Sequence, residues 1–411
     1  MSIENLETSV RITALADAHS SASCTILHRR DWIFDINAFN RAEGRAWHVV
    51  PASSHQGVSW ADIASTNELL VDQAVMDCNQ IQVFDDSTTH LVVPTSSIRS
   101  ARVVASCSPA RPPEDQTTPA ERISSAVTTF TGRRLRQRLD QTLEIPPLPL
   151  AAQKIIALKS NPNYSLAELV KVVETDPSIA AKVMAWACSA FYAADPAPRS
   201  LNDAIMRVLG FDLVMNIALG LALAGTLRLP AHQVNGVPPF WTEAVFTAAA
   251  MEALGRRQSN GRDQAGLHYL TGLLANFGTL ILGHVFPPQY AVLCRLQEAN
   301  PDVPINQLDD HVLTLSREML AAEIFELWAL PSATVAAVRH QNDCEYAGEH
   351  AEGVRLLQAS RAMLGYGHYG PDAIASLELE SIGIDEDDLT AVSALLQDSR
   401  DSLEGLARAV A

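Results

Sequence analysis

Leu273-Leu274-Ala275-Asn276-Phe277-Gly278 lies in an apolar, glycine-spaced stretch that reads as one helix running roughly from Ala265 to Gly283. Gly266, Gly272, Gly278 and Gly283 recur among leucine, isoleucine and alanine, the pattern of a core helix whose neighbours approach closely. Whether this helix is the floor of an active site or a packing element depends on the side chains at Ala275 and Asn276. Neither is a strong ligand or a general base.

The surrounding 411 residues exceed one compact core and imply two or three domains. A formal charge of -17 argues against a general nucleic-acid binder, because phosphate backbones are held by clustered Lys and Arg. Lysines number only four, Lys154, Lys159, Lys171 and Lys182, so the first 150 residues have none. The six cysteines form no C-x-x-C pair and read as free thiols in a reducing compartment. The N-terminus shows no charged-then-apolar leader, so a cytoplasmic chain is expected. The apolar run Leu213 to Leu227 is broken by Asn216 and falls short of the about 20 residues a membrane span needs, which predicts a buried core helix.

Residues 1–108 alternate as short strands at Val10–Leu15, Cys24–His28, Trp32–Ile36, Ala46–Val50, Ile81–Phe84 and His90–Val93. A helix is expected over Ser59–Leu70, where Ser59 and Asp62 have capping-box spacing, and Asp85-Asp86-Ser87 reads as a turn. The result is a small α/β domain. Within it, the segment from Leu70 through Val71-Asp72-Gln73-Ala74-Val75-Met76 to Phe84, then Thr89-His90-Leu91-Val92, resembles the C-terminal part of YbaK-like aminoacyl-tRNA deacylases. That resemblance implies an essential lysine near Ser23-Cys24-Thr25, and none is present. Cys24 is a candidate substitute nucleophile, but with no helix start or paired His to activate it, it reads as a buried structural cysteine.

Pro109, Pro112, Pro113 and Pro119 mark a linker over 109–120. Order is expected to resume over Glu121–Leu143, a helix carrying Arg133, Arg134, Arg136 and Arg138, more simply a solvated basic face than an anion site. Helices follow one another through residue 345. Ser165 and Glu168 have capping-box spacing, Asp176-Pro177 is an N-cap followed by a first-turn proline, and Ser200 to Asp203 opens a helix that Gly210 can close.

Leu143-Glu144-Ile145-Pro146-Pro147-Leu148-Pro149, Asp176-Pro177-Ser178-Ile179-Ala180, Cys188-Ser189-Ala190 and Ser200 through Gly210 together resemble the HDOD domain, the HD-related output domain. The likeness continues through Phe240-Trp241-Thr242-Glu243, Arg317 to Pro331, and Ala337-Val338-Arg339-His340-Gln341-Asn342-Asp343. It implies a multidomain α+β protein: the α/β domain, then an all-α HDOD domain over 121–345, with a C-terminal helical extension over 346–411 packed on it.

In metal-dependent HD phosphohydrolases the opening hexapeptide reads Leu-Leu-His-Asp-Ile-Gly, the adjacent His and Asp ligating metal. Such metals lower the pKa of a bound water and neutralise phosphate charge. Here Ala275 and Asn276 replace that pair, Glu243 and Arg317 stand where His is frequent, and Gln341 and Asn342 stand where paired histidines often sit, with His340 out of register by one. His268, His284, His311 and Asp343 are the remaining donors. The expectation is a non-catalytic signal-transduction protein without metal or cofactor. It would bind an unknown protein partner or a small ligand such as a nucleotide, with neither nucleic acid nor membrane involved. The alternatives are a phosphohydrolase with relocated ligands and an aminoacyl-tRNA editing hydrolase. Near the C-terminus, Asp385-Glu386-Asp387-Asp388 reads as acids at a helix start rather than a calcium loop, which would need alternating ligands and a glycine.

Overall fold

The computed structural model describes residues 8–50, 69–84, 90–98, 101–109, 148–159, 161, 165–225, 227–258, 264–366, 377 and 379–411. The expected helix start at Ser59, the Asp85-Asp86-Ser87 turn, most of the proline-rich linker and the arginine-rich helix lie outside them. The chain divides into two compact units. One comprises Met1–Gln116 with His232–Val237 and Pro288–Thr314; the other comprises Thr117–Ala231, Pro238–Pro287 and Leu315–Ala411.

The first unit contains strands β1 (Thr8–Asp17), β2 (Ser23–Arg29), β3 (Trp32–Phe34), β4 (Trp47–Val49), β5 (Leu69–Asp72), β6 (Gln80–Phe84), β7 (His90–Pro94), β8 (Arg102–Val104) and β9 (Cys107–Pro109), with helix α1 (Ile36–Glu43) between β3 and β4 in the chain. The main sheet runs β7-β6-β1-β2-β5-β8, with β4 on β1, while β3 pairs with β9. β1 and β2 are antiparallel, and β6 joins β1 in parallel. Three expectations are corrected here. Leu69 and Leu70 belong to a strand rather than a helix end, Ile36 begins α1 because the Asp35 carboxylate accepts from the amides of Asn37 and Ala38, and β8 and β9 are additional strands.

Side chains alternate across this sheet with the strand period of two. Leu27, Leu69 and Val71 enter one apolar cluster, while Cys24, Ile26 and Leu70 enter the other. The second cluster is completed by Leu296 and Ala299 of helix α9 (Pro287–Ala299), Leu308 of α10 (Ile305–Leu313) and Val303 between them, far away in sequence. Asn300 seals this arrangement, accepting from the Phe34 amide at 2.7 Å and donating to the Phe34 carbonyl at 3.0 Å.

The second unit contains α2 (Leu150–Lys159), α3 (Leu166–Glu174), α4 (Pro177–Ala187), α5 (Phe211–Ala224), α6 (Phe240–Gly255), α7 (Ala265–Leu274), α8 (Phe277–Val285), α11 (Arg317–Leu327), α12 (Ser332–His340), α13 (Ala351–Met363), α14 (Glu386–Asp398) and α15 (Arg400–Val410). Several starts follow the sequence reading. Ser165 and Glu168 form a reciprocal capping box, Asp385 and Asp388 form another, and Gly210 sits at φ 84° at the end of the Ala204–Leu209 segment. Asp176 accepts from the Ser178 amide at 2.9 Å and the Ile179 amide at 3.3 Å. Asp176→Ala is therefore expected to cost about 1 kcal/mol, read as a lowered urea midpoint, with Asp176→Ser recovering most of it.

The Ala265–Gly283 stretch is corrected from one helix to two, α7 and α8, separated at Ala275-Asn276. Among the described residues, Ala265–Val285 has the length and apolarity of a membrane span, as does the sharply bent pair Leu201–Leu209 and Phe211–Ala224 taken together. In Ala265–Val285, 89% of the apolar window is buried inside the protein, and α5 is buried along almost its whole length.

Candidate functional site

The break between α7 and α8 brings several of the singled-out residues together. Asn276, 8% exposed, donates through Nδ2 to the Phe240 carbonyl at 3.2 Å, and its Oδ1 meets no partner among the described residues. Gln341 follows the last turn of α12. It is 2% exposed and donates through Nε2 to the carbonyls of Ala275 and Val338, both at 3.0 Å. Arg317 begins α11, where the Ser316 hydroxyl accepts from the Met319 amide. Its backbone lies against α8, and a methyl group on Gly278 would fall 2.2 Å from the Arg317 carbonyl oxygen. The Arg317 guanidinium reaches the Thr279 hydroxyl at 3.4 Å. Ala275, Asn276, Arg317 and Gln341 thus meet where α7, α8, α11 and α12 converge.

The other positions are engaged nearby or elsewhere. Glu243, one turn into α6, forms an ion pair with Arg361 of α13 at 3.1 Å. His340 stacks on Tyr346 with ring centroids 3.9 Å apart, and burial lowers its pKa below the usual imidazole value. Asn342 is half-buried in the turn after α12.

This donor set does not fit a divalent cation. Hard and borderline cations need carboxylate oxygens or imidazole nitrogens at short range. The convergence supplies one neutral amide oxygen, an alanine, a guanidinium that repels a cation, and a glutamine whose N–H groups are spent on carbonyls. Among the described residues, no group of three His, Cys, Asp or Glu side chains is placed to hold a metal ion. His284 accepts from the Arg228 amide at 3.2 Å, and His311 stands 3.6 Å from the Asp35 carboxylate in the strand-rich unit.

In that unit Cys24 points into the core with Leu15, Ile26 and Trp47. At 5% exposure its thiol is not open to a substrate. Asp72, quoted above for the deacylase likeness, accepts from the amides of Ser106 and Cys107 at 3.1 and 3.2 Å and ties β5 to β9.

One buried polar group was not singled out by the sequence. Glu252 of α6 is 1% exposed, accepts from Tyr192 at 2.6 Å, and receives two bonds from Arg256 at 2.9 and 2.6 Å. Burial raises its pKa against the opposing pull of Arg256 and Tyr192. The i,i+4 spacing of Glu252 and Arg256 was the only available signal, since Tyr192 lies 60 residues upstream.

Residues 145–344 match the HDOD domain. The crystal structure of a Marinobacter aquaeolei VT8 protein named as a signal transduction protein is 31% identical with a TM-score of 0.84, covering 100% of this chain and 95% of that one. An HDOD domain protein of unknown function from Geobacter sulfurreducens is 17% identical with a TM-score of 0.54, covering 71% of this chain and 99% of that one. A Shewanella amazonensis SB2B protein named as a phosphohydrolase is 18% identical with a TM-score of 0.50, covering 65% and 95%. Both of the latter are likenesses of fold. No curated protein matches the chain.

Proposed function

The chain belongs to the HDOD family, and from that premise we propose that it is a non-catalytic regulatory protein of a bacterial signalling pathway. It acts in the cytoplasm by binding a protein partner or a small ligand. The observation that carries this reading is that, at the α7–α8 break, Asn276 is engaged by the Phe240 carbonyl, Gln341 by the Ala275 carbonyl and Arg317 by the Thr279 hydroxyl, groups unsuited to activating a water. The whole-length likeness to a protein named for signal transduction supports the regulatory part. In this reading the strand-rich unit is a retained YbaK-like binding module, since it has no lysine and its Cys24 is buried.

The test is metal analysis of the purified protein together with turnover assays on cyclic dinucleotides, nucleotides and mischarged tRNA. The expected result is less than stoichiometric metal and no turnover above buffer, with or without added Mn²⁺, Mg²⁺ or Zn²⁺. Stoichiometric metal with turnover that is lost on Asn276→Ala would overturn it.

A further inference from the structure

Within the helical unit, α6, α7, α12 and the start of α13 enclose a cavity of about 430 Å³. That volume falls in the range of small-molecule sites, about 300–1,000 Å³. It lies one helical turn before Ala275 on α7 and one turn before Gln341 on α12, so it is separate from the packed positions described above. Its deep wall is Met251, Thr271 and Ala337, all buried. Such a wall offers apolar contact and, through the thioether of Met251, some capacity to adapt.

His268 stands in this wall and is 6% exposed. Its Nδ1 packs over Gly255, where a methyl group would lie 2.0 Å away, and meets no hydrogen-bond partner among the described residues. A buried N–H without an acceptor costs more than a bare lone pair, so the favoured tautomer carries its proton on Nε2. Nε2 is the ring nitrogen left to the cavity, which makes His268 a donor. Burial also holds the imidazole neutral, with a pKa lowered to about 4.

The mouth has a definite electrical character. Glu352 lines it, and none of the described lining residues is Lys or Arg. His350 is held there in a left-handed backbone conformation at φ 63°, with Nε2 2.9 Å from the Ser332 hydroxyl. An L-residue in that region costs on the order of 1 kcal/mol and is kept where surrounding structure over-determines it. A phosphate at this mouth would meet the full charge of the Glu352 carboxylate against only the partial positive charge of the α13 N-terminus, with no Lys or Arg among the described lining residues.

We propose that this cavity binds a small uncharged nitrogen heterocycle, which presents a carbonyl or ring-nitrogen acceptor to His268 and an N–H to the Glu352 carboxylate. The apolar wall takes the ring face, and the two polar groups fix its edge. Binding here is separable from the non-catalytic reading, because turnover in the assays above would leave this prediction intact.

Calorimetry and thermal shift on the full chain, with inosine, hypoxanthine and inosine 5′-monophosphate as probes, test it. At least one uncharged probe is expected to bind saturably and raise Tm with concentration. The monophosphate is expected to bind at least tenfold more weakly than inosine. His268→Phe, which keeps volume and removes the donor, should weaken binding at least tenfold. Ala333→Leu, at the half-buried rim, should do the same by filling the space and serves should the first variant fail to fold. No saturable binding by either uncharged probe, equal binding of the monophosphate, or unchanged affinity in a folded His268→Phe or Ala333→Leu protein would overturn the proposal.

Discussion

Gly278→Ala is expected to lower stability by about 3 kcal/mol, the upper end of the cost of inserting a methyl group into a packed core. The added Cβ would stand 2.2 Å from the Arg317 carbonyl oxygen and 2.7 Å from its carbonyl carbon. These are backbone atoms at the start of α11, so relief requires α8 and α11 to separate rather than one side chain to swing away. Gly272→Ala meets a similar obstacle, at 2.6 Å from the Ala248 Cα on α6. The control is Gly405→Ala in α15, where a Cβ meets nothing within 4 Å. That change should stabilise by up to about 1 kcal/mol through helix propensity and lost unfolded-state freedom. Urea unfolding followed by circular dichroism distinguishes the cases, and equal midpoints for Gly278→Ala and Gly405→Ala would refute the packing role of the glycine-spaced helices.

The second large effect concerns the strand-rich unit. Asp302 accepts from Arg11 Nε and from an Arg30 guanidinium nitrogen, each at 2.5 Å, with the three side chains 21%, 22% and 29% exposed. Fully buried pairs cost about 3–5 kcal/mol to break and exposed ones at most about 1, so Asp302→Ala is expected to cost about 2 kcal/mol. Burial pushes the Asp302 carboxyl up, but the hydrogen bonds from Arg30 and Arg11 outweigh it and hold the pKa at about 2. A depressed carboxyl contributes its stability above the unfolded value, about 3.9, and loses it as pH falls toward 2. Asp302→Asn should therefore flatten stability against pH between about 4 and 2 while leaving neighbouring carboxylates to titrate. An unchanged slope in that window would show that Asp302 does not anchor the α9–α10 segment.

The resemblance to the helical family was legible because its features are local. Caps at Ser165, Asp176 and Ser200 depend on residues three or four positions apart, and the structure places helix starts at each. The strands from β1 to β4 were readable for the same reason, since alternation is a short-range pattern. β8 and β9 are no shorter than β3 and β4, but Arg102–Val104 and Cys107–Pro109 contain no fully buried residue, so they carry no apolar alternation to read.

Residue identity alone determined which donors stand at positions 243, 275, 276, 317, 341 and 342, and that no lysine stands in the first 150 residues. It also determined that the 265–283 stretch is apolar and glycine-spaced. Tertiary structure decided that this stretch breaks at Ala275-Asn276, because the amide of Asn276 is drawn to Phe240 and the Ala275 carbonyl is taken by Gln341. It decided equally that residues 288–314 complete the core beside the sheet, where one sheet face needed Leu296, Ala299, Val303 and Leu308 to bury it. Local pattern specifies elements, but contacts across more than two hundred residues are set by which apolar faces remain to be covered, and that is settled only when the chain packs.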